Sequence, residues 1–253
     1  MSELSGADRA QSIRLEGHAN SVRGRPAIEA VWVSFDVTLA VALVTAAFPP
    51  SWHATLVGFA FLGATWALVW RHDDAHVRRA GLGLAGLVIP GHLDVASVVR
   101  SGARALAWAL GVFAIVAVPY FIAWRFWWTP RVPFSLIVRP PIEASEALGQ
   151  ILVIAFPEEA FYRGYLQSRL DEAWAPRWRV LGASVGPGLL VGAAIFALGH
   201  LATIAVPARL AVFFPAIVFG WLRARTGGIG ASVAFHAFCN LYAQALGRGY
   251  GVY

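Results

Sequence analysis

Long apolar runs separated by short, arginine-bearing connections leave this chain few ways to fold. A bilayer span needs about 20 mostly apolar residues, and residues 30–48, 52–70, 104–124, 145–168, 181–202, 207–223 and 229–246 meet or approach that length. A further apolar piece, residues 81–90, ends at Pro90-Gly91 and is too short to cross alone. It reads as re-entrant or interfacial, so the expected count is six to eight spans. Lipid offers no hydrogen bonds to the backbone, so each run must satisfy its own amides as a helix. The expected fold is an all-α, polytopic transmembrane helical bundle.

Charge supports this setting. Charged residues make up 13% of the 253, against roughly 25% in an average soluble domain, and mean hydropathy is +0.62. All 20 basic residues are arginine and the net charge is +6. They cluster at segment ends and in connections, a pattern that orients a membrane protein and argues against nucleic-acid binding. Arg71, Arg78, Arg79, Arg100 and Arg104 share one connection, Arg169, Arg177 and Arg179 another, and Arg223 and Arg225 a third, whereas Phe48 to Trp52 carries no charge. The positive-inside rule then places the N-terminus and these three connections in the cytoplasm and the C-terminus outside. One connection disagrees: Arg125 to Glu143 holds Arg125, Arg131 and Arg139 yet falls on the outer side. Trp124, Phe126, Trp127 and Trp128 there read as a headgroup anchor, and Pro130, Pro133, Pro140 and Pro141 as an extended link.

Residues 1–28 are polar, include Arg9, Arg14, Arg23 and Arg25, and lack the apolar core of a signal peptide. They are expected to be a mobile cytoplasmic tail ahead of a single transmembrane domain over residues 29–253. The all-arginine basic set and the compact length point to a bacterial inner (plasma) membrane. The single cysteine, Cys239, excludes an internal disulfide and reads as a small buried hydrophobe. Asp36, midway along the first span, has no assigned chemical role.

Within the apolar stretch from Leu148 to Phe156 and beyond sit two adjacent carboxylates, Glu158 and Glu159. A charge at bilayer depth costs about 2.5–3.5 kcal/mol on insertion scales, so such a pair needs a function. Glu159 and Arg163 are four apart and share a helical face, while Glu158 is rotated by about 100°. Arg163 can therefore hold Glu159 ionised and leave Glu158 to face a cavity as a general base. Phe196 precedes His200 by one turn, and His236 and Asn240 form an i, i+4 polar pair. His18, His53, His72, His76 and His92 lie in the tail, in a connection or at a span edge and read as solvated or interfacial. Together these groups can activate water through Glu158 and His200, while His236 and Asn240 donate to an oxyanion.

The ordered motifs Glu158-Glu159-x-x-x-Arg163, Phe196-x-x-x-His200 and His236-x-x-x-Asn240 resemble the CPBP family of CAAX prenyl proteases and bacteriocin-processing enzymes, which includes the Ras-converting endopeptidase and the bacterial myxosortases. The resemblance covers residues 145–246, the expected catalytic core. It implies an intramembrane endopeptidase with Glu158 and His200 activating water, His236 and Asn240 forming the oxyanion site, and Glu159, Arg163 and Phe196 in support. It favours a metal-independent glutamate mechanism without a cofactor. The residues themselves leave zinc open, because two histidines and a glutamate can ligate it. The implied partners are the bilayer and a membrane-anchored or lipidated protein or peptide, cut near its C-terminus or membrane-proximal segment. Two other classes compete: a non-catalytic scaffold or immunity protein of the same fold, and a transporter with a proton relay. The complete motif set favours the enzyme over the scaffold, and the lack of an inverted repeat argues against transport.

Overall fold

A computed structural model describes residues 6–89, 91, 93–135 and 142–252, with side chains from residue 25 onward. It is a helical bundle. α1 spans Gly6–Ala47 and α2 Pro50–Thr65, the latter continuing in a π-helical turn, Trp66–Trp70. A short α3, Asp74–Arg79, follows, and then α4, Val95–Trp128. α5 is one helical run over residues 144–173 in which α turns alternate with π turns at Gln150–Ala155 and Ala160–Leu166. A β-hairpin of β1, Trp178–Val180, and β2, Ala183–Val185, leads into α6, Pro187–Thr203. A 3₁₀ turn, Pro207–Val212, opens α7, Phe213–Thr226, and α8 covers Gly230–Gly249.

Among the described residues, four helices are long and apolar enough to cross a membrane: Arg25–Ala47, Pro50–Trp70, Val95–Trp128 and Pro207–Thr226. The chain is an integral membrane protein with an all-α architecture. α6 is apolar but shorter, at 17 residues. α5 carries the acidic pair and Arg163 in its middle, a composition no simple span would have.

Several boundaries differ from the sequence reading for definable reasons. The tail is helical from Gly6, continuous with the first span across Pro26; residues 1–5 lie outside the described residues. The run expected at 181–202 splits: Leu181 and Gly182 both adopt positive φ (47° and 82°), the two-residue turn of a tight hairpin, and the helix begins only at Pro187. Trp221 on α7 donates from Nε1 to the Val180 carbonyl at 2.9 Å and fastens that hairpin to the bundle. α4 starts nine residues early because Asp94 caps it, its carboxylate accepting from the Ala96 amide at 3.0 Å. Arg100 and Arg104 therefore lie on the helix. The tryptophan cluster is likewise the last turns of α4 and not a loop; Trp124 is buried against Tyr250, to whose hydroxyl Arg125 donates. Arg139, Pro140 and Pro141 lie outside the described residues. Among the described residues of the 81–90 piece, only Leu84–Gly86 makes a helical turn, interrupted by Ala85 at φ 55°. Asp36 is exposed on the flank of α1 and bonds to no other helix among the described residues.

Close approaches fix the position of α5. A Cβ built on Gly58 of α2 would sit 2.7 Å from the Val153 carbonyl oxygen, so glycine there lets α2 touch the α5 backbone. Gly58→Ala is expected to cost about 1–3 kcal/mol as the helices are forced apart. Thermal unfolding in detergent checks this, and an unchanged midpoint would contradict it.

At the arginine-bearing end, beyond the membrane portion of α5, Asp171 lies 3.8 Å from Arg223. Burial raises its carboxyl from the usual range to about 6, with the guanidinium only partly opposing the shift. The folded state thus holds a proton that the unfolded chain releases near pH 4. Ionising Asp171 costs stability above about pH 6, and stability is regained as pH falls from 6 towards 4, by up to about 3 kcal/mol. Asp171→Asn should flatten that pH dependence in a melting series.

Candidate active site

The π turns on either side of Phe156–Glu159 place the acidic pair where α5 departs from regular α geometry, a feature that recurs at functional sites. The two carboxylates then diverge. Glu159 has no side-chain exposure and Glu158 retains 13%.

Glu159 belongs to a closed cluster. Its Oε2 is 3.2 Å from Arg163 Nε, and its Oε1 accepts from His236 Nδ1 at 3.0 Å. Arg163 also donates from Nη2 to the Ala216 carbonyl at 3.1 Å. Its guanidinium lies over the rings of Phe196 (4.6 Å) and Phe219 (5.0 Å). The imidazole of His236 stacks on Phe219 with centroids 4.6 Å apart and rings 15° from parallel. Phe196 from α6 and Phe219 from α7 therefore sheath an ion pair from α5 and a histidine from α8. Most of the pair's polar atoms find partners there, but Arg163 Nη1 is buried without a hydrogen bond and Glu159 Oε2 has only its ion-pair contact with Arg163.

Glu158 points the other way, into a cavity of 540 Å³ that it shares with His200 and Tyr162. Its Oε2 is buried without a hydrogen-bond partner and lies 3.9 Å from His236 Nε2. His200 Nδ1 is 3.0 Å from the Phe196 carbonyl. A carbonyl only accepts, so Nδ1 carries the hydrogen and Nε2 keeps its lone pair. The result is a free carboxylate and a ring nitrogen able to accept a proton, both on one cavity.

The cavity opens towards one end of the bundle. Thr45 and Ala46 at the end of α1, His53 and Ala54 at the start of α2, and Thr203 and Ile204 at the end of α6 form its outer part. This is the end opposite Arg71, the β-hairpin and Arg223.

The structure brings Glu158 and His200 to one cavity and gathers Glu159, Arg163, Phe196 and His236 behind it. It does not bring His236 or Asn240 into the cavity wall. Asn240 donates from Nδ2 to Gln150 Oε1 at 3.0 Å, on the first π turn of α5. Among the described residues no group of three His, Cys, Asp or Glu side chains converges as a metal ion would require. Cys239 is buried, as its apolar surroundings in sequence suggest.

Sequence reasoning passed over Tyr162, Thr38, His53 and Gln150. Tyr162 had a signal, since it follows Glu158 by four residues. Thr38 and His53 did not, because only tertiary packing brings α1 and α2 to the cavity. His53 is half-buried there, with Nε2 2.7 Å from the Phe48 carbonyl.

No curated protein and no solved structure matches the chain. Over residues 140–242, the segment that carries every motif residue above, the chain matches the family described as type II CAAX prenyl endopeptidase, Rce1-like.

Proposed function

We propose that this chain is a glutamate-dependent intramembrane endopeptidase, and the observation that carries the reading is the division between adjacent carboxylates. Glu159 is spent on Arg163 and His236; Glu158, whose Oε2 makes no hydrogen bond and only a 3.9 Å approach to His236, shares a cavity with His200. Glu158 takes a proton from a water molecule held between it and His200. The resulting hydroxide adds to the scissile carbonyl carbon, and the carbonyl π electrons pass to oxygen. The tetrahedral intermediate collapses, the C–N bond breaks, and the proton held by Glu158 goes to the departing amine. This is general acid–base catalysis by one carboxylate in two directions.

Glu159 fixes the His236 ring through Nδ1 and leaves Nε2 on the Glu158 side. The ring so held faces the oxyanion from Nε2. Asn240 supplies the second donor by turning its amide from Gln150 to the intermediate. Asn240→Ala should lower turnover by about 10²–10³-fold, the scale for one oxyanion donor. A change confined to substrate binding would argue against this role.

The substrate is a membrane-anchored protein or peptide cut near its C-terminus or membrane-proximal segment. It enters at the α1–α2 turn, where the cavity opens. With the arginine-rich connections and the N-terminus in the cytoplasm, that is the outer face of the membrane. Such an entry suits the trimming of C-terminal anchors at the outer surface.

Membranes from cells expressing the wild type or Glu158→Gln, compared by mass spectrometry of C-terminal and membrane-proximal peptides, test the proposal. Products found only with the wild type support it. Identical peptide sets at equal protein levels would overturn it.

A further inference from the structure

A second and larger cavity, of 920 Å³, lies away from the glutamates between α4, the β-hairpin, α6 and α7. Its walls are apolar, built from side chains such as Trp108, Ile115, Leu181, Leu190, Ile217 and Trp221. Ile115 is 76% and Leu181 81% exposed, so the cavity is a groove open to the lipid-facing flank.

The chemistry changes at one end. Arg104 lines the groove one helical turn before Trp108 on α4, and the Arg225 guanidinium lies 4.7 Å over the Trp108 ring. Arg225 also packs on the hairpin turn, its Nε 3.2 Å from where a Cβ on Gly182 would stand. Among the described residues neither arginine forms an ion pair, and Arg225 Nε is buried without a hydrogen-bond partner. This end is also the arginine-bearing end of the bundle, with Arg177 and Arg179 on the hairpin side.

We propose that this groove is a binding site for an anionic phospholipid, with the phosphate between Arg104 and Arg225 and an acyl chain lying along Trp108, Ile115 and Ile217. Unpaired guanidiniums at the mouth of an apolar trough match a ligand with an anionic head and a hydrocarbon tail. A choline headgroup would add a third cation beside two that already lack counter-ions. Inorganic phosphate has no tail to cover the apolar walls. The site shares no residue with the peptidase cavity and stands whether or not the chain cleaves peptides.

Gly111 gives a test that spares both arginines. It lines the groove, and a Cβ added there meets nothing within 4 Å, so Gly111→Phe places a ring in the trough from a position with room for its Cβ. The protein is reconstituted in bilayers of equal phosphatidylglycerol and phosphatidylcholine and re-extracted, and its retained lipid is counted by native mass spectrometry. The wild type should retain phosphatidylglycerol over phosphatidylcholine by about thirtyfold, the scale of two near-surface arginines acting on one anion. Arg104→Gln/Arg225→Gln should abolish that preference. Gly111→Phe should retain neither lipid while melting like the wild type. Equal retention of the two lipids by the wild type, a preference surviving in the double variant, or undiminished retention in Gly111→Phe would each overturn the proposal. If the double variant does not fold, the Gly111→Phe result decides alone.

Discussion

Glu158→Gln should reduce peptide-bond cleavage by at least about 10³-fold, within the range that a positioned general base contributes, while the melting temperature stays at the wild-type value. The two halves of that expectation have separate causes. The amide cannot take a proton from water, so the nucleophile is not made. Yet Glu158 Oε2 has no hydrogen-bond partner in the resting protein, and an isosteric amide leaves no other buried group newly unpaired. Single-turnover cleavage of a substrate identified by the membrane comparison, run beside thermal unfolding, measures both. Cleavage within tenfold of the wild type would remove Glu158 from the mechanism. The neighbouring change, Glu159→Gln, should do the reverse and weaken the fold, because it strips Arg163 and His236 of their shared carboxylate.

Arg163→Ala is expected to have the largest effect on stability, about 3–5 kcal/mol, the range for breaking a buried ion pair from one side. Glu159 would be left as a buried carboxylate with only His236 beside it, and the faces of Phe196 and Phe219 would lose the cation between them. The loss should appear as low yield of inserted protein and a depressed unfolding midpoint. Removing both charges should be milder: Glu159→Gln/Arg163→Met restores neutrality and volume, and its midpoint should lie above that of Arg163→Ala. A wild-type midpoint for Arg163→Ala would show that the pair is structurally idle.

The motif residues were legible because helix periodicity is. Spacings of four and a rotation of 100° were enough to separate Glu158 from Glu159 and to pair the latter with Arg163, and the folded chain has that arrangement. The partner of His236 was not legible, since Glu159 and His236 lie 77 positions apart and nothing local relates them. The same holds for Asn240 and Gln150. Regular spacing also carries no mark of the π turns around the acidic pair, because the hydrogen-bond register is set by tertiary packing. The β-hairpin was absorbed into an apolar run: strands of three residues are too short to display their alternation, and only the Leu181-Gly182 turn distinguishes them. Helicity ahead of the first span was hidden by polarity, which describes exposure and not backbone conformation.

The peptidase cavity has two kinds of wall. Glu158, Tyr162 and His200 come from the segment that matches the protease family, whereas Thr38, Val41, His53 and Phe61 come from α1 and α2, outside it. On the proposed mechanism, the groups that move a proton lie in the matching segment, and α1 and α2 supply much of the wall that a substrate would meet. Substitutions in the first two helices can reshape what the cavity admits without touching a group that moves a proton, so proteins alike in the second half are free to trim different clients. Exchange of α1 and α2 between relatives, with the motif helices kept intact, is then the natural route to retargeting such an enzyme.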